Sequence, residues 1–231
     1  MRNGLLFVFF TLCAASASAD CGYEGDVFAT GLATDPRTGR LVYCEYHLPA
    51  QGSQRSVLYY SPEGYRIAEK RLSGVDSTVP AVVQQDYRHG EERIVQPRGG
   101  QVSLRYREDA NSQWETAILS AGEVDVADAG FDTVVRNNWR RLASGQAVTF
   151  DFASPVHGRA IGLRARQVNC SGTADKLCLR VDLNQPILRM FAGELYLEYD
   201  RDSRRLELFD GVTNVLDSRG NSQRLRIGYE Y

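Results

Sequence analysis

Cys170 and Cys178 are the residues best placed for covalent chemistry. They flank a polar turn, Ser171-Gly172-Thr173-Ala174-Asp175-Lys176. Folding the chain about Ala174 sets Cys170 opposite Cys178, Arg166 opposite Asp182 and Ala165 opposite Leu183. Cysteine, arginine and aspartate then share a polar face, while Leu163, Ala165, Leu179, Val181 and Leu183 share an apolar one. Three agreeing pairings predict a disulfide-closed hairpin. Cys21 and Cys44 are assigned to each other by elimination, with no turn centred between them. Free thiols and a metal site are the rivals; no C-x-x-C pair or histidine cluster supports a metal.

The other reactive residues form no motif. His47, His89 and His157 are far apart, and each reads as a surface or turn residue. Ser154-Pro155-Val156-His157 brings a serine near a histidine, but without the glycine-flanked elbow of a serine nucleophile it reads as a loop. Glu123, Asp125, Asp128 and Asp132 form the most site-like cluster. They lack the spacing and terminal bidentate Glu of a calcium loop, so a solvated approach to a helix explains them. Glu45, Glu69, Asp86, Glu194, Glu198 and Glu207 fall on predicted strands, where a glycosidase pair would need a set separation across a cleft. No phosphate loop or dinucleotide fingerprint is present. The residues therefore specify no catalytic group, cofactor or metal.

The start of the chain sets the compartment. Arg2, the apolar run Leu5 to Leu12 and Ala17-Ser18-Ala19 read as a cleavable export signal. The run is too short for a spanning helix, which needs about 20 residues. Cleavage between Ala19 and Asp20 removes Cys13 and leaves an even set, Cys21, Cys44, Cys170 and Cys178. An even set suits the oxidising periplasm or exterior. Without Arg2, the 27 basic residues fall to 26 against 29 acidic ones, a balance near −3. Such a surface has no basic excess for nucleic acid or anionic membrane. No later segment reads as a transmembrane helix, and residues 20–231 read as a single mature domain.

The rest of the chain is a succession of strands and turns. Alternation and β-branched or aromatic enrichment predict strands at 28–33, 41–47, 57–60, 65–71, 81–86, 92–96, 102–107 and 114–119. More follow at 148–152, 160–168, 179–183, 194–199, 206–209 and 224–231. Asp35-Pro36-Arg37-Thr38-Gly39 and Ser61-Pro62-Glu63-Gly64 are the strongest turn signals. One amphipathic helix interrupts the pattern at about 130–143. Its stripe is Phe131, Val134, Val135, Trp139 and Leu142, with Asp128 or Gly130 at its start and Gly145 at its end. The expected fold is mostly β: a curved antiparallel sheet or half-barrel with that helix on one face. The stripe, above all Phe131, Val135, Trp139 and Leu142, either packs as core or lids a ligand cavity.

From about Gly130 to Tyr231 the chain resembles uncharacterised exported β-rich proteins of Gram-negative proteobacteria. The resemblance rests on Gly130-Phe131-Asp132, Asn138-Trp139, Val148-Thr149-Phe150-Asp151-Phe152, Glu198-Tyr199-Asp200, Arg204-Arg205-Leu206 and Asn214-Val215-Leu216-Asp217 before Gly220. It implies an architecture similar to periplasmic lipoprotein carriers, whose half-barrel wraps a helix and can hold acyl chains. It carries over no catalytic residue. The expectation is a non-catalytic periplasmic module binding a lipid or other apolar ligand. The alternatives are an envelope interaction protein without ligand, partnered by another envelope protein, or an outer-membrane barrel. The last is suggested by Leu225, Ile227, Tyr229 and the terminal Tyr231.

Overall fold

A computed structural model describes residues 21–172, 175–185 and 193–231. The export signal, with Ala19 and Asp20, lies outside these residues, as does Ala174 at the centre of the predicted turn. The first eight strands are β1 (Ala29–Thr34), β2 (Leu41–His47), β3 (Gln54–Tyr60), β4 (Arg66–Ser73), β5 (Ala81–Asp86), β6 (Glu92–Arg98), β7 (Gln101–Arg107) and β8 (Glu115–Ser120). Two short helices follow, α1 (Gly130–Asn137) and α2 (Trp139–Ala143). The chain then forms β9 (Val148–Ser154), β10 (Arg159–Val168), β11 (Lys176–Leu183), β12 (Leu195–Asp200), β13 (Leu206–Val212) and β14 (Arg224–Glu230).

All fourteen strands belong to one antiparallel sheet in the order β8-β7-β6-β5-β4-β3-β2-β1-β14-β13-β12-β11-β10-β9. Each strand pairs with its sequence neighbours, except that β1 pairs with β14 and β8 and β9 are left as edges. The sheet curls until these ends approach: the 3-10 turn Pro155–His157 after β9 packs on β6 and β7, and β10 meets β8. No ladder joins β8 to β9, so the sheet stays open. Instead, the segment before α1 covers the β9 edge. The Asp125 and Val126 N–H groups donate to the Asp151 carbonyl, and Ala153 N–H donates back to Val126. Backbone groups left by the missing ladder are thus satisfied locally, as buried edges require.

The helical stripe lies inside the curl. Val134, Val135, Trp139 and Leu142 pack with Val148 and Phe150 of β9, Ala165 of β10, Leu177, Leu179 and Val181 of β11 and Leu197 of β12. The predicted single helix is in fact two. Asn138 adopts φ −103° and ψ 15°, and its Nδ2 donates to the Val134 carbonyl, closing α1 before α2 starts. Side-chain amides that bond their own backbone favour such breaks, which a periodicity of apolar residues does not register. Neither predicted cap acts as one: α1 starts from Ala129, without a capping side chain. Gly130 has a different role. A Cβ there would lie 2.0 Å from the Thr78 carbonyl oxygen, so only glycine lets α1 abut the β4–β5 connection.

Both disulfides form, with Cα separations of 5.9 Å for Cys21–Cys44 and 5.4 Å for Cys170–Cys178. The hairpin register differs from the predicted one by two residues. Cys178 lies opposite Val168, Asp182 opposite Arg164, and Ala165 opposite Val181. Cys170 lies beyond the ladder, so its bridge does not require direct opposition. A two-residue slip keeps every side chain on its predicted face. Arg166 still reaches Asp182 diagonally, at 3.6 Å. The Cys21–Cys44 bridge pins the N-terminal segment across the outside of β2 and β3, where Cys21, Cys44, Tyr46 and Leu58 form a small cluster with Tyr23 and Tyr60.

The outer face of β10 to β14 is ionic. Arg164 and Arg166 pair with Asp182, Arg180 with Glu194, Lys176 with Glu198 and Glu207, and Arg224 with Asp210. No helix among the described residues is long and apolar enough to cross a membrane.

Candidate functional site: an apolar cavity with a charged wall

Between the helical layer and the opposite half of the sheet lies a cavity of about 450 Å³. That is within the range of small-molecule sites, roughly 300 to 1,000 Å³. Its apolar wall comes from both halves of the chain, including Val57, Leu72, Phe131, Leu195, Leu197 and Phe209. Strand alternation explains the convergence: every second residue of a curled sheet points inward, so distant strands contribute to one wall.

Of the predicted stripe, only Phe131 faces the cavity, its ring 5.5 Å from that of Phe150. Val135, Trp139 and Leu142 lie beneath it in the packed core. Arg204 stacks on Trp139 at 5.3 Å.

The charged wall has three parts. In the first, Glu45 of β2 accepts hydrogen bonds from the Tyr43 hydroxyl at 3.4 Å and the Tyr229 hydroxyl at 3.1 Å; its Oε2 also lies 3.2 Å from His47 Nε2. Burial, aided by the Glu45 charge, raises the Tyr43, Tyr59 and Tyr229 hydroxyls well above the usual tyrosine pKa, so all three stay protonated. Gly31 makes this group possible. A Cβ there would come within 2.9 Å of the Tyr229 ring and 3.2 Å of Glu45 Cβ.

In the second part, Lys70 of β4 donates to Asp128 Oδ1 at 2.7 Å, and Asn214 donates to its Oδ2 at 3.0 Å. Asp128 holds a left-handed backbone, φ 44°, and also accepts from the Ala129 N–H at 2.7 Å. A non-glycine residue in that region is fixed by its surroundings. Lys70, Asn214 and Ala129 supply them here.

The third part is less complete. Asp132 of α1 pairs through Oδ2 with Arg136 at 2.8 Å, while its Oδ1 is buried without a hydrogen-bond partner. The Tyr199 hydroxyl, fully buried on β12, also lacks one. So does Nε of Arg55 on β3, whose guanidinium stacks 4.6 Å above the Phe28 ring. Burial raises the Asp132 pKa, with Arg136 and Arg55 pulling it back down. Burial also pushes the Tyr199 hydroxyl well up, and the Asp132 charge adds to the shift. Half-exposed aromatics rim this side: Phe28 and Tyr231 meet edge to face at 5.6 Å, and Arg205 lies over Tyr231 at 4.7 Å.

The residues weighed from sequence alone are thus redistributed. The four acids of the possible calcium cluster go to four different partners. Glu123 caps a turn with Ser120, Asp125 accepts from the Asp151 N–H, Asp128 takes Lys70 and Asp132 takes Arg136. His47 lines the cavity, whereas His89 bonds the Asp217 carbonyl at 2.9 Å. Ser154 Oγ lies 2.8 Å from Nδ1 of His157, a contact within one 3-10 turn. Arg55, Lys70 and Tyr199 carried no sequence signal, because nothing in a lone arginine, lysine or tyrosine on a strand distinguishes an inward from an outward position. No family model, curated relative or solved structure matches the chain.

Proposed function

We propose that this chain is an exported envelope protein that holds a lipid or another largely apolar molecule in the cavity between sheet and helices. The observation that carries this reading is the apolar space of about 450 Å³ beside α1, left open where a purely structural sheet would be filled. An occupant gains about 0.8 kcal/mol for each methylene it removes from water. The paired charges around the space fix orientation without requiring chemistry. Two disulfides support an oxidising compartment and hence export, in keeping with the N-terminal signal sequence.

The ionic outer face of β10 to β14 weighs against a sheet that faces lipid, because membrane strands present an apolar outer surface. An interaction protein without ligand would have no use for the cavity. Native mass spectrometry of freshly purified protein, with displacement of a fluorescent fatty acid, tests the reading. A co-purified amphiphile and saturable displacement are expected; repeated failure to find either would rule the reading out.

A further inference from the structure

Buried polar atoms in native proteins nearly always have partners, and an orphan calls for an explanation. Three orphans line this one cavity: Nε of Arg55, Oδ1 of Asp132 and the hydroxyl of Tyr199. Arg107, Arg164, Arg166 and Asp210 carry similar atoms, but each of those side chains is ion-paired to a neighbouring strand. Arg55 has no ion pair among the described residues; its described contact is the face of Phe28. The three residues come from β3, α1 and β12, yet act on one another: the Tyr199 hydroxyl faces the Asp132 carboxyl closely enough to lower its pKa without completing a hydrogen bond, and the Arg55 charge lowers it further. They therefore form the part of the polar wall whose hydrogen bonds are left incomplete.

The chemistry of the three atoms is complementary to a particular head group. Arg55 Nε can only donate, Asp132 Oδ1 accepts when ionised, and the Tyr199 hydroxyl does either. We propose that the cavity takes a single-chain amphiphile with an acidic head group, carboxylic or phosphoric, seated against Arg55, Asp132 and Tyr199. One head-group oxygen accepts from Arg55 Nε and another from the Tyr199 hydroxyl. A proton shared between a head-group oxygen and Asp132 Oδ1 keeps the two acids from repelling; a fatty acid takes it up from solvent on binding, and a monoanionic phosphate monoester already carries it. The chain runs along the wall formed by Leu195, Leu197 and Phe209. Stacking on Phe28 holds the Arg55 guanidinium in place before the head group arrives, so less conformational freedom is lost on binding. The inference rests on the cavity-binding reading above and adds the class of its occupant.

Displacement titrations on the delipidated mature chain distinguish the two. The competitors are palmitic acid, 1-palmitoyl lysophosphatidic acid, methyl palmitate and hexadecan-1-ol. At least one of the two acids should bind about tenfold or more tightly than the ester and the alcohol, as expected for a hydrogen bond to a charged group. Which acid binds better identifies the head group. Arg55→Met keeps the apolar stem and should cost the acid about tenfold while leaving the ester within about twofold. Tyr199→Phe removes only the hydroxyl and should weaken the acid several-fold while leaving the ester unchanged. Equal binding of acid and ester, or unchanged acid affinity in Arg55→Met, would overturn the head-group assignment alone. Failure of all four competitors to bind would overturn the cavity reading itself.

Discussion

Two groups of buried charge sit in the same curled sheet, and they are finished differently. At the β5–β6 hairpin, Asp86 takes a fork from Arg88, with Nε–Oδ1 at 3.1 Å and NH2–Oδ2 at 2.5 Å. Glu91 takes two bonds from Arg93, at 2.9 and 2.6 Å. The arginines also reach the segment between β13 and β14, where Arg88 bonds the Leu216 carbonyl and Arg93 the Asn214 side chain. Across that segment, Arg55, Asp132 and Tyr199 keep orphan atoms facing a cavity. Both carboxylates of the first group are only 1 % exposed, so their desolvation is severe and the pairing offsets it. In the second group Asp132 is less deeply buried and pairs with Arg136 through Oδ2 alone, so its Oδ1 is left without a partner. The buried charges of the hairpin are completed by their partners, whereas those facing the cavity are the ones to which the proposed head group is assigned.

The largest expected effect tests the complete side. Glu91→Gln leaves Arg93 buried without its carboxylate, and breaking such a pair costs about 3 to 5 kcal/mol. Chemical denaturation should show that loss, while fluorescent fatty-acid affinity stays unchanged. If affinity fell with stability, the two groups would be one coupled network through Asn214 and the contrast would fail.

A somewhat smaller effect comes from the covalent strap. Cys21–Cys44 closes a loop with a sequence separation of 23, and Cys170–Cys178 one of 8. Chain-entropy arguments assign about 3.5 kcal/mol to the longer loop and about 2.5 to the shorter. The longer one also ends the segment that carries Phe28 to Arg55. Replacing Cys21 and Cys44 by serine should therefore lower both stability and acid affinity. Replacing Cys170 and Cys178 should lower stability alone. Equal loss of affinity in both double variants would sever the link between the strap and the cavity rim.

These contrasts also explain what the sequence could convey. The strands were legible because alternation and turn chemistry are local: Asp35 to Gly39 and Ser61 to Gly64 stop one strand and start the next. Cys170–Cys178 was legible for the same reason, although a symmetric centre at Ala174 misplaced the ladder by two residues. The break at Asn138 was not, since the apolar stripe continues through it and only a side chain folding back on Val134 interrupts the backbone. The cavity was illegible because its members come from β2, β3, β4, α1, β12 and β14. Tyr229 and Glu45, 184 residues apart, meet only because β14 closes on β1 and Gly31 makes room. A single sequence contains no local trace of that closure.

The smallest expected effect probes the incomplete side directly. Burial raises the Asp132 pKa above its ordinary value of 3.8, with Arg136 and Arg55 opposing the shift. The folded state therefore keeps a proton in a window just above 3.8 where the unfolded state has released it. More protons bound by the folded state mean that stability falls as pH rises through that window, and grows as pH is lowered through it. Asp35, Asp109, Asp200 and Asp217 behave oppositely: hydrogen bonds from backbone or side chains lower their pKa values, and that stability is lost in acid. Their effect is common to wild type and Asp132→Asn, so it cancels in the difference between the two. Wild-type stability minus that of Asp132→Asn, measured on delipidated protein, should increase as pH falls from 7 toward 4. The slope should be shallow, because 38 % of the Asp132 side chain remains exposed and only Oδ1 is sealed. A difference that does not vary with pH would mean that Asp132 is as well solvated as a surface carboxylate. Its orphan oxygen would then need no ligand to explain it, and the contrast with Glu91 would reduce to one of depth.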